Sequence, residues 1–164
     1  MPSKIKALDN YSEWLAPPLG RLKFNTDGAV YGSFDQAGID GVLRDHLGST
    51  VVKFSKSIGP YVPATAKLLA IKEALKIYFD LNLTKLPHLE VESDSNNVVC
   101  WIRKPNSTLV LYKDLVDSCI IEGSKFSWNI ILIDREQNND VDKLAKAGFS
   151  QNVDLLKFSP LDAL

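Results

Sequence analysis

The segment Leu22-Lys23-Phe24-Asn25-Thr26-Asp27-Gly28-Ala29 decides the fold of this chain. Apolar and polar residues alternate up to Asp27, which is the pattern of a strand with one face in a core. The strand ends on an aspartate followed by small residues, which let backbone or a ligand come close to the carboxylate. Asp27 is therefore predicted at the carboxyl end of a strand, where open α/β sheets bind their ligands.

A second segment, Glu92-Ser93-Asp94-Ser95-Asn96, has the same local shape. It places Asp94 at the end of another short apolar strand. A crossover βα connection makes the two strands parallel, and we expect them to be neighbours. The two carboxylates are then predicted side by side, with Asp142 directed at the same point from the first turn of a final helix.

The remaining pattern predicts one α/β domain. We expect strands over 22–27, 38–45, 49–57, 89–94 and 126–134, and helices over 63–83, 95–103, 109–121 and 139–147, the last one capped by Gly148. This order predicts a mixed five-stranded sheet, with three antiparallel strands followed by parallel βα units, flanked by helices. Residues 1–21 are predicted to be an N-terminal lead-in segment, 22–149 the domain, and 150–164 a C-terminal tail of ambiguous structure.

Composition limits the classes of protein to consider. With 164 residues and 45% hydrophobic content, the chain can build one globular core. A formal charge of −1 excludes a strongly basic nucleic-acid binder, so any phosphate contact must come from a local patch. Two cysteines, Cys100 and Cys119, and two isolated histidines, His46 and His88, do not form a zinc or histidine metal site. Lacking a signal-like or membrane-spanning apolar run, the chain is expected to be intracellular, in the nucleus or the cytoplasm, without contact to a membrane.

Each of the three aspartates has a plainer interpretation. Asp27 could open a turn before Gly28, Asp94 could cap a helix, and Asp142 could complement a helix dipole. Their predicted convergence favours a metal site, because clustered carboxylates need a cation to stay ionised. Oxygen ligands without histidine or thiolate indicate Mg²⁺ or Mn²⁺, and paired ions of this kind suit phosphodiester cleavage.

Lys67 stands where the rest of the pattern leads us to expect another carboxylate. At about 100° per residue along a helix, it aligns with Ile71, Ala74 and Tyr78 in the apolar arc. Two interpretations remain: the side chain reaches solvent from the helix end, or its ammonium group is directed at the aspartates. Glu73 projects away from this side and cannot replace a carboxylate there.

Several motifs follow one another in a fixed order. They are Trp14 with Pro17-Pro18-Leu19-Gly20, the segment 22–29, Gly41-Val42-Leu43-Arg44-Asp45, Leu68-Leu69-Ala70-Ile71-Lys72-Glu73-Ala74-Leu75, Glu92-Ser93-Asp94-Ser95, Arg135-Glu136 with Asn138, and Asp142-Lys143-Leu144-Ala145. Over residues 14–149 the chain resembles type 1 ribonuclease H. The similarity is greatest to plant ribonuclease H-like domains related to the C-terminal module of non-LTR (LINE-type) retrotransposon polyproteins.

This resemblance implies a ribonuclease H fold, binding of RNA–DNA hybrids, and endonuclease cleavage of the RNA strand with two Mg²⁺ ions, or Mn²⁺. It implies that Asp27 bridges both metals, Asp94 completes the leaving-group metal site, and Asp142 holds the nucleophile metal. Contacts to the nucleic acid are expected from a further set of residues: Gly28, Ser95, Asn96, Arg135 and Asn138.

The family's glutamate falls on Lys67, since Ala66-Lys67-Leu68-Leu69-Ala70-Ile71 overlies the pattern Ala-Glu-Leu-x-Ala-Ile. Two unit charges about 4 Å apart interact by about 4 kcal/mol at an effective dielectric near 20, so lysine turns attraction for a metal into repulsion. We therefore expect a hydrolase of the ribonuclease H fold whose cleavage of RNA is impaired and whose metal sites are only partly occupied. The alternative is a catalytically inactive domain derived from a retroelement, which binds hybrids or, through the apolar segment 109–111, another protein.

Overall fold

The computed structural model describes residues 14–31, 36–83 and 85–138, and the backbone of residues 155–158. Its strands are β1 (Arg21–Tyr31), β2 (Gln36–Arg44), β3 (Thr50–Pro60), β4 (His88–Ser93), β5 (Trp128–Leu132) and β6 (Leu155–Phe158). Its helices are α1 (Pro63–Asp80), α2 (Asn96–Arg103) and α3 (Lys113–Gly123), with 3-10 turns at Pro105–Ser107 and Val110–Tyr112.

The strands form one mixed sheet in the order β5-β4-β1-β2-β3-β6. Strands β1, β2 and β3 pair antiparallel, whereas β4 lies parallel to both β1 and β5. The predicted α/β fold with its five strands is therefore confirmed. The sixth strand, β6, pairs antiparallel with β3 and lies in the tail for which the sequence pattern made no prediction.

The parallel pairing of the inner strands β1 and β4 brings the two aspartates close together. The ladder runs as far as Asn25 opposite Glu92, and both Asp27 and Asp94 follow within two residues of that pair. The Thr26 hydroxyl donates to the Glu92 carbonyl at 2.7 Å, which extends the connection between the strands. Asp27 and Asp94 therefore lie side by side just beyond the parallel ladder. The prediction that the first strand ends at Asp27 was wrong, because β1 continues to Tyr31 through its antiparallel pairing with β2.

Helix α1 covers one face of the sheet with its apolar arc. Phe24 of β1 and Leu68, Ile71 and Leu75 of α1 are completely buried in the same core. The helix starts with Pro63 in its first turn, where the missing N–H costs nothing. It ends at Asp80 rather than at residue 83, because Asn82 adopts a φ of 53°, a left-handed conformation that cannot continue the helix.

The helix predicted over 109–121 begins four residues later than expected. Val110–Tyr112 form a 3-10 turn, and α3 starts at Lys113. Tyr112 stacks on Trp101 with ring centroids 5.0 Å apart, while Val110 is 94% exposed and has no core to pack against. The helix predicted over 139–147, with Asp142 and Gly148, lies outside the described residues. Within the described part of the chain, no helix is both long and apolar enough to cross a membrane.

Candidate active site

The centre of the site is an ammonium group between two carboxylates. Nζ of Lys67 donates to Oδ1 of Asp27 at 2.7 Å and to Oδ1 of Asp94 at 2.9 Å. The side chains of Asp27 and Asp94 are only 5% and 4% exposed, and that of Lys67 is 13% exposed. Lys67 is thus directed at the aspartates, as the second of the two interpretations expected, and does not reach out to solvent.

Gly28 makes this approach possible. A Cβ atom at residue 28 would lie 2.4 Å from the carbonyl carbon of Ala66 and 2.6 Å from the backbone N of Lys67. The first turns of α1 therefore rest directly on the end of β1, next to Asp27. Gly28 also donates its backbone N–H to Oδ1 of Asp27 at 2.9 Å, which fixes the carboxylate. Its observed contacts are thus with helix α1 and the aspartate, and its predicted contact to nucleic acid stays a prediction.

The strand-to-helix turn at Asp94 is closed by its neighbour. Ser95 is the N-cap of α2, and its hydroxyl accepts the backbone N–H of Val98 at 3.2 Å. Asp94 is therefore not the helix cap, and its carboxylate is available to Lys67. Asn96 is the first residue of α2 and is exposed on the same turn.

Burial and charge shift the protonation equilibria of the trio. Burial raises the pKa of Asp27, against the attraction of Lys67, and the neighbouring Asp94 raises it further. Burial also disfavours the ammonium form of Lys67, but hydrogen bonds and attraction from both carboxylates outweigh it and raise the lysine pKa. Lys67 consequently stays charged at neutral pH.

The described residues do not fit a divalent ion between Asp27 and Asp94. No group of three or more potential metal ligands is found among residues 14–31, 36–83 and 85–138, and Asp142 lies outside them. The Lys67 ammonium already donates to both carboxylates, so a cation at this point would be repelled. With lysine the three side chains carry one net negative charge; with glutamate they would carry three.

A cleft of about 330 Å³ opens beside the trio. It is lined by backbone and side chains at the end of β1, from Asp27 to Tyr31, and by Pro63, Lys67 and Arg135. Two cationic groups, Lys67 and Arg135, therefore face the same space. Asp27 lines the same cleft and Lys67 is already paired with two carboxylates, so Arg135 is the group suited to bind an anion such as a phosphodiester there.

Asn138, which was also predicted to contact nucleic acid, is buried, with only 1% of its surface exposed. Its Nδ2 atom donates to the carbonyl of Thr26 at 3.2 Å, and its backbone N–H donates to the carbonyl of Arg135 at 3.1 Å. These bonds tie the turn that carries Arg135 to strand β1. Its contact in the structure is thus with β1, one residue before Asp27.

Sequence reasoning missed a buried polar network behind the site. Glu92 Oε1 accepts hydrogen bonds from Nε1 of Trp14 at 2.7 Å and from Nδ2 of Asn25 at 2.8 Å. Lys23 lies 3.4 Å from Oε2 of Glu92 and donates to the carbonyl of Leu15 at 2.8 Å. Through these contacts, Trp14 and Leu15 of the lead-in segment are hydrogen-bonded to side chains of β1 and β4. One feature of the sequence could have predicted this network. Lys23 and Asn25 alternate along β1 with the same spacing as the acidic residues Glu90 and Glu92 along β4.

Comparison with known proteins agrees with this geometry. A family model described as reverse transcriptase-like matches residues 25–148. One relative is a protein of Arabidopsis thaliana that is named as a ribonuclease H protein. The two sequences are 32% identical over 147 residues, which cover 88% of this chain. The chain belongs to the ribonuclease H-like family. It spans 23% of the length of that Arabidopsis protein.

Solved structures share the ribonuclease H fold. RNase H1 from the halophilic archaeon Halobacterium salinarum superimposes with a TM-score of 0.71 at 24% identity, over 79% of this chain and 97% of that one. LC11-RNase H1, solved in complex with an RNA/DNA hybrid, gives a TM-score of 0.71 at 22% identity, over 78% of this chain and 96% of that one. At these identities the similarity establishes the fold of the ribonuclease H-like domain.

Proposed function

We propose that this ribonuclease H-like domain binds RNA–DNA hybrids and that Lys67 impairs its cleavage of the RNA strand. Homologues of the family are hydrolases, and one solved relative of the same fold, LC11-RNase H1, holds an RNA/DNA hybrid. The cleft beside Asp27 offers the guanidinium group of Arg135 to a phosphate group. These features support hybrid binding as the function that the domain retains.

One observation carries the catalytic part of the proposal. Nζ of Lys67 hydrogen-bonds both Asp27 and Asp94, at 2.7 and 2.9 Å. In the proposed site the ammonium takes the place of the leaving-group metal and offsets one of the two negative charges that would hold it. A pair of Mg²⁺ or Mn²⁺ ions held by Asp27, Asp94 and Asp142 would supply an activated water and charge stabilisation of the leaving oxygen. Loss of one of them lowers the rate of cleavage by this route.

The test compares the unchanged protein with Lys67→Glu and Lys67→Gln. Binding is measured with an RNA–DNA hybrid in the presence of a chelator, and cleavage with the same labelled hybrid in Mg²⁺ or Mn²⁺. We expect the unchanged protein to bind without metal and to cut poorly, and Lys67→Glu to cut. Lys67→Gln is the matched control, because it removes the ammonium without supplying a charged metal ligand.

The outcomes separate the two parts of the proposal. Absence of binding at low salt contradicts hybrid binding, which depends on phosphate contacts and is strongest there. Efficient cleavage by the unchanged protein contradicts the impairment. Cleavage by neither the unchanged protein nor Lys67→Glu contradicts a latent nuclease site.

A second candidate function is protein binding by a domain of retroelement origin. The segment Leu109–Leu111 is exposed by 60%, 94% and 81% at its three residues, which is uncommon for adjacent large apolar side chains. A triple serine variant of this segment tests it. Loss of a co-purifying protein with unchanged hybrid affinity favours this candidate, and an unchanged set of bound proteins contradicts it.

A further inference from the structure

A groove rimmed by lysines lies between α1 and strands β2 and β3. It has a volume of about 330 Å³. Its apolar floor comes from Ile39, Ile58 and Leu69, and its rim carries Lys56, Lys72 and Lys76 together with Ser57, Tyr61 and Glu73. We call it the lysine groove. None of its rim residues belongs to the Asp27–Lys67–Asp94 trio.

The lysine groove carries an excess of positive charge. Three ammonium groups face one carboxylate, that of Glu73, and Nζ of Lys56 lies 3.6 Å from Oε1 of Glu73. Lys72 and Lys76 are four residues apart on α1 and project from the same side of the helix. In a chain whose formal charge is −1, such a local excess is the kind of patch through which a non-basic protein contacts phosphates.

The lysine groove is continuous with the candidate active site. A shallow cavity lined by Val30, Pro60, Tyr61, Val62 and Pro63 lies between them. It shares Val30 and Pro63 with the cleft beside Asp27, and Tyr61 with the lysine groove. The three depressions thus follow one another as one track that leads from the N-terminal end of α1 towards Lys76.

We propose that the lysine groove holds the phosphates of the nucleic-acid strand that extends from the candidate active site. This inference rests on the proposed function, because it requires a hybrid at the site. Tyr61, which is 43% exposed at the middle of the track, offers an aromatic face to a sugar or base. Lys67 and Lys76 are separated by about 14 Å along the axis of α1 and project from opposite sides of it, so a strand that joins them needs at least about four nucleotide steps.

The test uses hybrids of two lengths and two matched double variants. Lys72→Ala with Lys76→Ala removes two lysines of the groove. Lys85→Ala with Lys113→Ala removes two lysines that line none of the three depressions. The dissociation constant is measured over a range of salt concentrations, with hybrids that end at the site and with hybrids that continue by more than about four base pairs.

We expect the groove variant to weaken binding of the longer hybrid and to reduce its salt dependence by about one to two units of slope. Its affinity for the shorter hybrid should be unchanged. The single variant Lys76→Glu is a second probe that does not depend on the folding of the double variant. Lys76 is exposed, and reversal of its charge should weaken binding of the longer hybrid more than Lys76→Ala does.

Failure of this inference differs from failure of the proposed function. If the unchanged protein binds the longer hybrid, but the groove and control variants lose affinity equally, the groove is overturned and hybrid binding stands. If the unchanged protein binds neither hybrid, the proposed function fails and the groove fails with it as a hybrid-binding surface.

Discussion

Lys67 and Asp27 connect the first turns of α1 to strand β1 through a hydrogen bond of 2.7 Å. The same ammonium group donates to Asp94 beyond the end of β4. One lysine therefore links a helix to two neighbouring strands. In the function proposed above, the residue that replaces a metal ligand also stabilises the two carboxylates beside it.

Removal of the ammonium should destabilise the fold. Lys67→Met leaves two nearly buried carboxylates without their partner, and loss of one member of a buried ion pair costs about 3–5 kcal/mol. Chemical unfolding of both proteins measures this difference. Lys76→Met, at an exposed site on the same helix, is the control and should change stability by less than about 0.5 kcal/mol. Equal effects of the two variants would contradict a stabilising role for Lys67.

The stability gap between the unchanged protein and Lys67→Met should depend on pH. The pKa of Lys67 is raised in the folded state, so its contribution is fully present below the ordinary lysine pKa and is lost as pH rises through the folded value. The pKa of Asp27 is also raised in the folded state, so ionisation of this carboxyl group lowers the stability as pH rises from its ordinary pKa to its folded pKa. This loss is greatest in Lys67→Met, where the ammonium group is absent. We expect the gap to be largest near neutral pH, narrowing towards about pH 4 and above about pH 10.4. Unfolding free energies measured across this range check it, and a gap that is constant with pH contradicts it.

Gly28→Ala should disturb the same contact from the other side. Its Cβ would lie 2.4 Å from the carbonyl carbon of Ala66, and overpacking against backbone costs about 1–3 kcal/mol. Because the helix must shift, the effects of Gly28→Ala and Lys67→Met should be coupled rather than additive. Gly20→Ala meets no atom within 4 Å and serves as the control, since its effect should add to that of Lys67→Met. Additive effects for both glycines would show that Gly28 does not position Lys67.

The indole of Trp14 should matter through its N–H group. Trp14→Phe keeps an aromatic ring but removes the donor to Glu92, and loss of one partner of a largely buried polar group costs about 1–3 kcal/mol. Asn25 still donates to the same oxygen, which favours the lower end of that range. Trp101→Phe is a suitable control, because the observed contact of Trp101 is ring stacking on Tyr112. A double-mutant cycle with Glu92→Gln isolates the Trp14 bond, and zero coupling would argue against it.

The sequence was sufficient to predict contacts that follow from strand ends and helical periodicity. Asp27 lies within β1 and Asp94 directly follows β4, and the crossover between those strands makes them neighbours, although β1 continues four residues beyond the end expected at Asp27. Lys67 lies on the buried side of α1, which left two interpretations open, and the structure shows the one in which its ammonium group is directed at the aspartates. The Trp14–Glu92 bond could not be predicted, because it joins residues 78 positions apart and depends on how the lead-in segment crosses the sheet. The late start of α3 was also missed, because the apolar segment before Lys113 has the composition of a helix but no core to pack on.

The central claim is that the ammonium of Lys67 takes the place of a metal ion, and a Mn²⁺ titration with bound hybrid tests it most directly. Calorimetry or electron paramagnetic resonance would count the ions bound by the unchanged protein and by Lys67→Glu. The account predicts that Lys67→Glu binds more Mn²⁺ per chain, and that Lys67→Gln does not gain the additional ion to the same extent. Equal stoichiometry and affinity in the unchanged protein and Lys67→Glu would contradict it.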